Sequence, residues 1–191
     1  MFMKEEQRYG RNKITSISHR FIDSGHYRKK FDAISTDKEL NKLLYSLAKK
    51  MLNHRTGTLY EDMYWIDMNT VKVVCEIVDS TAESRIEYTE RVKRVIKDQN
   101  GLLTIHSHPN GFPPSVDDFN SAYANQYAVG VVCGHNGDVF IYQSYEYIPE
   151  ESYYYLVNDF IKEGCSTYEA QMNTLEELSR RYDIRFRKVG V

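Results

Sequence analysis

The chain has 191 residues and 41% hydrophobic content, so it can bury one sizeable core but is too short for a full eight-unit barrel. Its 27 acidic and 25 basic residues give a formal net charge of −2 and are interspersed along most of the sequence. This balance gives no global reason to bind nucleic acid or an anionic membrane, although the segment from Lys4 to Lys30 is locally basic.

The sequence contains no signal for secretion, no membrane-spanning segment and no cysteine pattern typical of an oxidising compartment. No apolar run approaches the length that spans a bilayer, and the start of the chain, MFMKEEQRYGRNK, lacks the apolar segment of a secretion signal. The three cysteines follow no CxxC pattern, which indicates neither a disulfide framework nor a cysteine zinc site. We therefore expect a cytoplasmic protein with free thiols.

The predicted elements begin after a polar segment without clear periodicity, which the sequence allows to be an ordered arm, a linker or disordered. An amphipathic helix follows over 37–53, where TDKELNKLLYSLAKKMLNH places leucines at helical spacing behind a capping residue. A second helix, 116–127, starts after a Pro-Pro pair. Five segments have the composition and length of strands: 63–68, 71–79, 102–108, 128–134 and 139–144.

This order of elements predicts an α/β fold with a single mixed β-sheet flanked by helices. The strongest hairpin signal, Asn136-Gly137, joins the last two of these strands. We expect three parts: an N-terminal arm or linker over 1–35, a central domain over 36–145, and a C-terminal helical extension over 146–191 that ends in the strand candidate RFRKV.

The candidate site begins in the apolar run LLTIHSH. If this run is a strand, side chains alternate between its two faces, so His106 and His108 share one face while Ser107 points away. Two neutral imidazoles that converge in this way, followed by a carboxylate, are typical ligands of a divalent metal ion.

The carboxylate candidates open the next helix, in the sequence Ser115-Val116-Asp117-Asp118. Taken alone, this pattern indicates a capping box, because a Ser at the N-cap and an acid three residues later satisfy free backbone amides. Beside two histidines it also offers a metal ligand, with Asp118 as the first candidate and Asp117 as the alternative. His135 is a remote further candidate, and we expect it to be an exposed turn residue.

Together, His106-Ser107-His108-Pro109 and Ser115-x-x-Asp118 resemble the H-x-H…S-x-x-D signature of the JAMM (MPN+, JAB domain) metalloproteases. Six residues separate the second His from the Ser, one fewer than in the commonest form of that signature. The resemblance covers roughly 59–144 and leaves both flanks unexplained. It implies a JAB/MPN-like fold and a zinc-dependent hydrolase of peptide or isopeptide bonds.

The resemblance also implies roles for individual residues. His106, His108 and Asp118 would hold a catalytic Zn²⁺ ion, with a fourth position open to water. Ser115 would donate a hydrogen bond to the oxyanion of the tetrahedral intermediate.

A glutamate on an early strand is the remaining catalytic element that the resemblance implies. Glu61, in TLYEDMYWID, is the best match, because it opens the first predicted strand. Glu76 is the second candidate, but it is in phase with Lys72, as a solvent-facing residue would be. The chosen glutamate would take a proton from the metal-bound water and return it to the leaving amine.

Other classes of function fit the sequence less well. The H-x-H pattern also occurs in barrel amidohydrolases and metallo-β-lactamases, but the chain is too short for the barrel and no x-D-H follows directly. A base deaminase would need a pair of cysteine ligands. The main alternative is a catalytically silent JAB-like module for interaction or DNA association, of the RadC type. We expect a protein or peptide substrate, with neither nucleic acid nor membrane as a clear partner, and a fusion or assembly partner for the flanking segments.

Overall fold

A computed structural model describes residues 13–190, so the first 12 residues of the expected N-terminal arm lie outside the described part. Within that range the chain forms seven helices and six strands. The helices are α1 (His19–Ile22), α2 (Gly25–Asp32), α3 (Lys38–Arg55), α4 (Glu90–Lys97), α5 (Val116–Ala124), α6 (Glu150–Lys162) and α7 (Thr167–Arg181). The strands are β1 (Met63–Asp67), β2 (Lys72–Ile77), β3 (Leu103–His108), β4 (Val129–Gly134), β5 (Val139–Ser144) and β6 (Ile184–Lys188).

The six strands form one mixed sheet in the order β2-β1-β3-β4-β5-β6. The central pair, β3 and β4, is parallel, and the other neighbouring pairs are antiparallel. The predicted fold class, an α/β protein with a single mixed sheet flanked by helices, is confirmed. The five predicted strands are all present in this sheet, with ends within two residues of the expected bounds.

Helices cover both faces of the sheet because the buried strands carry apolar side chains on both sides. On the face called here the α3 face, α1, α2 and α3 pack against Tyr64, Ile66 and Ile105. On the opposite α5 face, α4, α5, α6 and α7 pack against side chains such as Trp65 and Tyr142. The parallel pair is therefore buried on both faces, as parallel strands usually are.

Both flanks of the expected central domain, 36–145, contribute to these two cores. In the N-terminal flank, Ile22, Tyr27 and Phe31 are buried in the core of the α3 face. In the C-terminal flank, α6 and α7 cover the α5 face, and β6 extends the sheet by pairing with β5. The described parts of the two flanks thus pack on the same sheet as the central segment.

Local chemistry explains where α5 ends and where α3 begins. Helix α5 is three residues shorter than the predicted 116–127, because its C-cap Asn125 is followed by Gln126 with a φ of +53°. Helix α3 begins at its N-cap Asp37, whose side chain accepts from two backbone amides. None of the helices within residues 13–190 is long and apolar enough to cross a membrane.

Candidate metal centre

The strand β3 carries both histidines on the α5 face. Ile105, which lies between Thr104 and His106, packs in the core of the opposite α3 face. The His106 and His108 rings lie 4.8 Å apart between centroids, and the His106 ring also contacts Tyr142 of the α5 face. The alternation predicted for this strand is therefore present.

Helix α5 brings the carboxylate of Asp118 onto the two imidazoles. The Nε2 atom of His106 lies 3.0 Å from Asp118 Oδ1 and 3.0 Å from the Nε2 atom of His108. The Nε2 atom of His108 lies 3.4 Å from Asp118 Oδ2. Each residue thus turns one donor atom to a common point, and the three atoms lie within 4.8 Å of one another.

These separations fit a bound metal ion. Donor atoms about 2.0–2.1 Å from a tetrahedral zinc ion lie roughly 3.3 Å from each other, close to the 3.0 Å between the two Nε2 atoms and the 3.0 Å from His106 Nε2 to Asp118 Oδ1. The group is also mostly buried, with His106 at 2% exposure. This buried His-His-Asp group could bind a metal ion.

Neighbouring groups orient two of the three candidate ligands. The Nδ1 atom of His108 lies 3.0 Å from the carbonyl oxygen of Phe112, so it donates there and leaves Nε2 as the free nitrogen. Asp118 Oδ2 accepts from the Ser115 amide at 2.7 Å and from the Ser115 hydroxyl at 2.8 Å. The Nδ1 atom of His106 is buried without a hydrogen-bond partner among residues 13–190.

The capping interpretation and the ligand interpretation of Asp118 are compatible. Ser115 is the N-cap of α5, and its side chain accepts from the Asp118 amide in a complete capping box. The box fixes the carboxylate at the start of the helix, where it also reaches the two imidazoles. Oδ2 of Asp118 accepts from Ser115 in the capping box, while Oδ1 faces His106.

Glu61 lies in the same cavity as the His-His-Asp group. It lies two residues before the first residue of β1, Met63. Because β1 pairs with β3, Met63 is opposite His106. The Glu61 side chain is buried, at 6% exposure, and lines a cavity of about 640 Å³ together with all three candidate ligands. The Glu61 carboxylate is not one of the converging ligands found among residues 13–190.

The two other acidic candidates, Glu76 and Asp117, differ in their distance from the site: Glu76 lies outside the cavity, whereas Asp117 lines it. Glu76 is opposite Tyr64 on the edge strand β2, is exposed, and lies 3.6 Å from Lys50 on the α3 face. Asp117 is exposed and is not one of the converging ligands. Neither residue contributes a donor atom to the converging group.

His135 is not the exposed turn residue that the sequence suggested. It is buried, at 3% exposure, and its Nδ1 donates to the Thr15 carbonyl oxygen at 2.6 Å. Burial lowers the pKa of this imidazole to about 4, so the ring is neutral at physiological pH. The reason for the difference is the N-terminal segment, which covers the turn, and no local signal in the sequence indicates that contact.

Electrostatics in the metal-free centre favour an ion pair. Burial alone would raise the pKa of Asp118, but the charges and hydrogen bonds of His106 and His108 hold it well below its usual range. Burial alone would lower the pKa of His108, but Asp118 and Glu61 raise it to about 9. Burial raises the pKa of Glu61 itself, against the opposing charges of the two histidines.

Metal binding should therefore release a proton and strengthen with pH. At pH 7 the His108 ring is protonated in the metal-free protein, because its pKa is raised to about 9, and a metal ion must displace that proton. We expect the affinity for the metal to rise about tenfold per pH unit between pH 7 and 9. Calorimetric titrations in buffers of different ionisation enthalpy would count the protons, and a pH-independent affinity would contradict the ion pair.

Aromatic side chains form much of the cavity wall beyond the candidate ligands. Tyr88 packs edge-on against Trp65, with ring centroids 5.2 Å apart. Tyr127 joins them, since its hydroxyl accepts from the Trp65 indole at 2.8 Å and donates to the Tyr88 hydroxyl at 3.3 Å. This network holds Tyr88, in the loop after β2, against the sheet beside the cavity that the candidate ligands line.

The centre thus combines three converging donor atoms, a separate buried carboxylate and a cavity that opens to them. Its function has to be inferred from this chemistry. The chain matches no protein-family model, no curated protein and no solved structure.

Proposed function

We propose that this protein is a zinc-dependent hydrolase of peptide or isopeptide bonds, of the JAMM type. One observation carries the proposal: the donor atoms of His106, His108 and Asp118 converge in a cavity that also buries the separate carboxylate of Glu61. Three protein ligands and a nearby general base are the parts that a hydrolytic zinc site requires.

Zinc is the metal that suits this set of ligands. Two imidazoles and one carboxylate favour zinc over magnesium or calcium, which prefer sites made of oxygen atoms. A bound Zn²⁺ ion supplies Lewis acidity, which lowers the pKa of water to about 7 and polarises the carbonyl of the substrate. His106, His108 and Asp118 would hold it.

Metal analysis should find about one zinc per chain in protein purified without added metal. His106→Ala should abolish this stoichiometric binding, because the variant loses one of three donors and the nitrogen that contacts both other ligands. His54→Ala is the matched control, since His54 binds Asp62 outside the converging group. A wild-type protein that fails to bind zinc at neutral pH would contradict the assignment.

In the proposed reaction Glu61 moves the proton. Its carboxylate takes a proton from the attacking water and returns it to the nitrogen of the leaving amine, so the amide and water become a carboxylate and an amine. Burial supports this role, because it raises the pKa of Glu61 towards the range in which a carboxylate both accepts and donates a proton. Its side chain also lines the cavity that contains the three proposed ligands.

Ser115 is the proposed donor to the oxyanion. Its hydroxyl donates to Asp118 Oδ2, and its backbone amide donates to the same oxygen at 2.7 Å, so the hydroxyl can turn towards a substrate without leaving that oxygen unpaired.

We expect the Ser115→Ala variant to keep the metal and to hydrolyse the substrate about 10²–10³ times more slowly. Loss of metal affinity instead, by about 10- to 100-fold, would show that the hydroxyl serves to orient Asp118.

The substrate that this proposal names is a protein or peptide amide. The cavity of about 640 Å³ provides room for residues on both sides of the reacting bond. The flanking segments, including the locally basic Lys4 to Lys30, are proposed to recruit a fusion or assembly partner.

The deciding experiment is hydrolysis in ¹⁸O-labelled water. Zinc-loaded protein would be incubated with a mixed peptide library and with lysine-linked isopeptide conjugates, and the products analysed by mass spectrometry. Incorporation of one ¹⁸O into the new carboxylate, abolished by a chelator and by Glu61→Gln, is the expected result. Metal binding without cleavage of either substrate class would favour the silent interaction module.

A further inference from the structure

We propose that Asp62 and Ser107 are positioning residues that fix the Glu61 carboxylate relative to the two histidines, an inference that rests on the proposed function of that site. Asp62 directly follows the proposed base, and Ser107 lies between the two proposed ligands. Both side chains are completely buried and lie outside the cavity that holds the reactive groups.

Two reciprocal hydrogen bonds join these residues. The Asp62 amide donates to the Ser107 hydroxyl oxygen at 3.1 Å. In return the Ser107 amide donates to the Asp62 carbonyl oxygen, also at 3.1 Å. The contact continues the β1–β3 ladder by one position beyond the pair of Met63 and His106. It therefore ties the backbone beside Glu61 directly to the segment that carries both proposed ligands.

The carboxylate of Asp62 is anchored on the α3 face. Oδ1 accepts from the Arg55 guanidinium, and Oδ2 lies 2.8 Å from His54 Nδ1, both at the end of α3. The Arg55 guanidinium also donates to the carbonyl oxygen of Val78, just after β2, at 2.7 Å. Asp62 is thus held by its side chain to a helix and by its backbone to Ser107.

These contacts leave Glu61 little freedom. Adjacent residues of an extended segment point to opposite faces, so anchoring Asp62 on the α3 face directs Glu61 to the α5 face, where it lines the cavity. The Glu61 side chain is not one of the converging ligands, so the metal site does not hold it in place. The contacts of Asp62 therefore help to set the position of Glu61, and a proton-transfer group must be held to within a fraction of an ångström of its productive place.

The test is Ser107→Ala with a structural and a kinetic measurement. The crystal structure of this variant should show the Glu61 carboxylate displaced by about 1 Å, with His106, His108 and Asp118 in place. Hydrolysis should fall about 10- to 10²-fold in kcat, with KM and zinc content unchanged. Ser107→Thr, which keeps the hydroxyl, should restore both. If the alanine variant fails to fold, Asp62→Asn is used in its place. This substitution keeps the size of the side chain but weakens its contacts with Arg55 and His54.

A double-mutant cycle separates positioning from a general loss of stability. In the Glu61→Gln background, Ser107→Ala should cost less than about twofold in rate, because the group that it positions no longer acts. Ser144→Ala is the matched control, since Ser144 is a buried strand serine whose hydroxyl donates to the Glu146 carbonyl at 2.8 Å. This control should leave the Glu61 position and the rate unchanged.

Two outcomes would overturn the proposal: an unmoved Glu61 carboxylate in both Ser107→Ala and Asp62→Asn, or a full additional rate loss in the Glu61→Gln background. The structural measurement needs no substrate. If the wild-type protein hydrolyses no amide, the proposed function fails, and the displacement of Glu61 alone decides whether Asp62 and Ser107 position it.

Discussion

Glu61→Gln is expected to leave the zinc content and the thermal stability nearly unchanged while it lowers amide hydrolysis by on the order of 10² or more, the usual scale for loss of a general base. Glutamine has the same shape as glutamate, so the packing around this buried side chain is kept. The carboxylate is not one of the converging ligands, so the metal should stay. Zinc content, melting temperature and kcat measured on one preparation would check all three expectations.

Glu76→Gln is the matched control, because it makes the same chemical change on the α3 face. Glu76 is exposed and lies 3.6 Å from Lys50, and such surface pairs contribute little to stability. Its substitution should leave the rate within about twofold of wild type. If the Glu61→Gln variant loses zinc, Glu61 is a metal ligand. If its rate of hydrolysis is unchanged, Glu61 is not the general base.

The central features of the site follow from short-range rules that a sequence displays directly. The period-two alternation of a strand places His106 and His108 on one face, and the capping pattern places Ser115 and Asp118 at the start of α5. The sequence does not show that the start of α5 lies against the end of β3, which depends on the tertiary fold. The connection between them is short, with few routes open to the chain, which explains why the converging group was predictable.

Contacts between distant parts of the chain were not predictable in the same way. The burial of His135 depends on the Thr15 carbonyl, 120 residues away in sequence. The N-terminal helices showed no clear periodicity because each is short, although Ser18 and Ser24 are good N-caps and Tyr27 and Phe31 have helical spacing. Such contacts come from tertiary packing, which local propensity does not encode.

The role proposed for Asp62 depends on contacts that only the folded sheet brings together, with α3 on one side and Ser107 of β3 on the other. In the sequence it is one acid among several beside Glu61, and nothing marks it as buried. The fold places it at 0% exposure between Arg55 and Ser107, where an isolated carboxylate would be costly without its partners. A signal was present in the alternation, which puts Asp62 and Ser107 on the face opposite to Glu61 and the histidines, but the pairing of β1 with β3 was needed to connect them.

Asp118→Asn is expected to remove metal and activity together. The asparagine keeps an oxygen that can accept from the Ser115 amide, so the start of α5 should remain folded. It loses the negative charge that faces both imidazoles and the anionic oxygen that would bind the metal. We expect the affinity for zinc to fall by at least about 10², beyond the usual cost of losing an outer partner of a ligand, and hydrolysis to fall in proportion to the metal lost.

Asp117→Asn makes the same substitution one residue earlier in the same helix turn. Asp117 lines the cavity but is not among the converging ligands, so the zinc affinity should stay within about twofold of wild type. Zinc titrations of the two variants, with circular dichroism to establish that both remain folded, provide the comparison. If Asp117→Asn loses zinc and Asp118→Asn keeps it, the ligand is Asp117, and the first turn of α5 must rotate on metal binding to bring its carboxylate to the histidines.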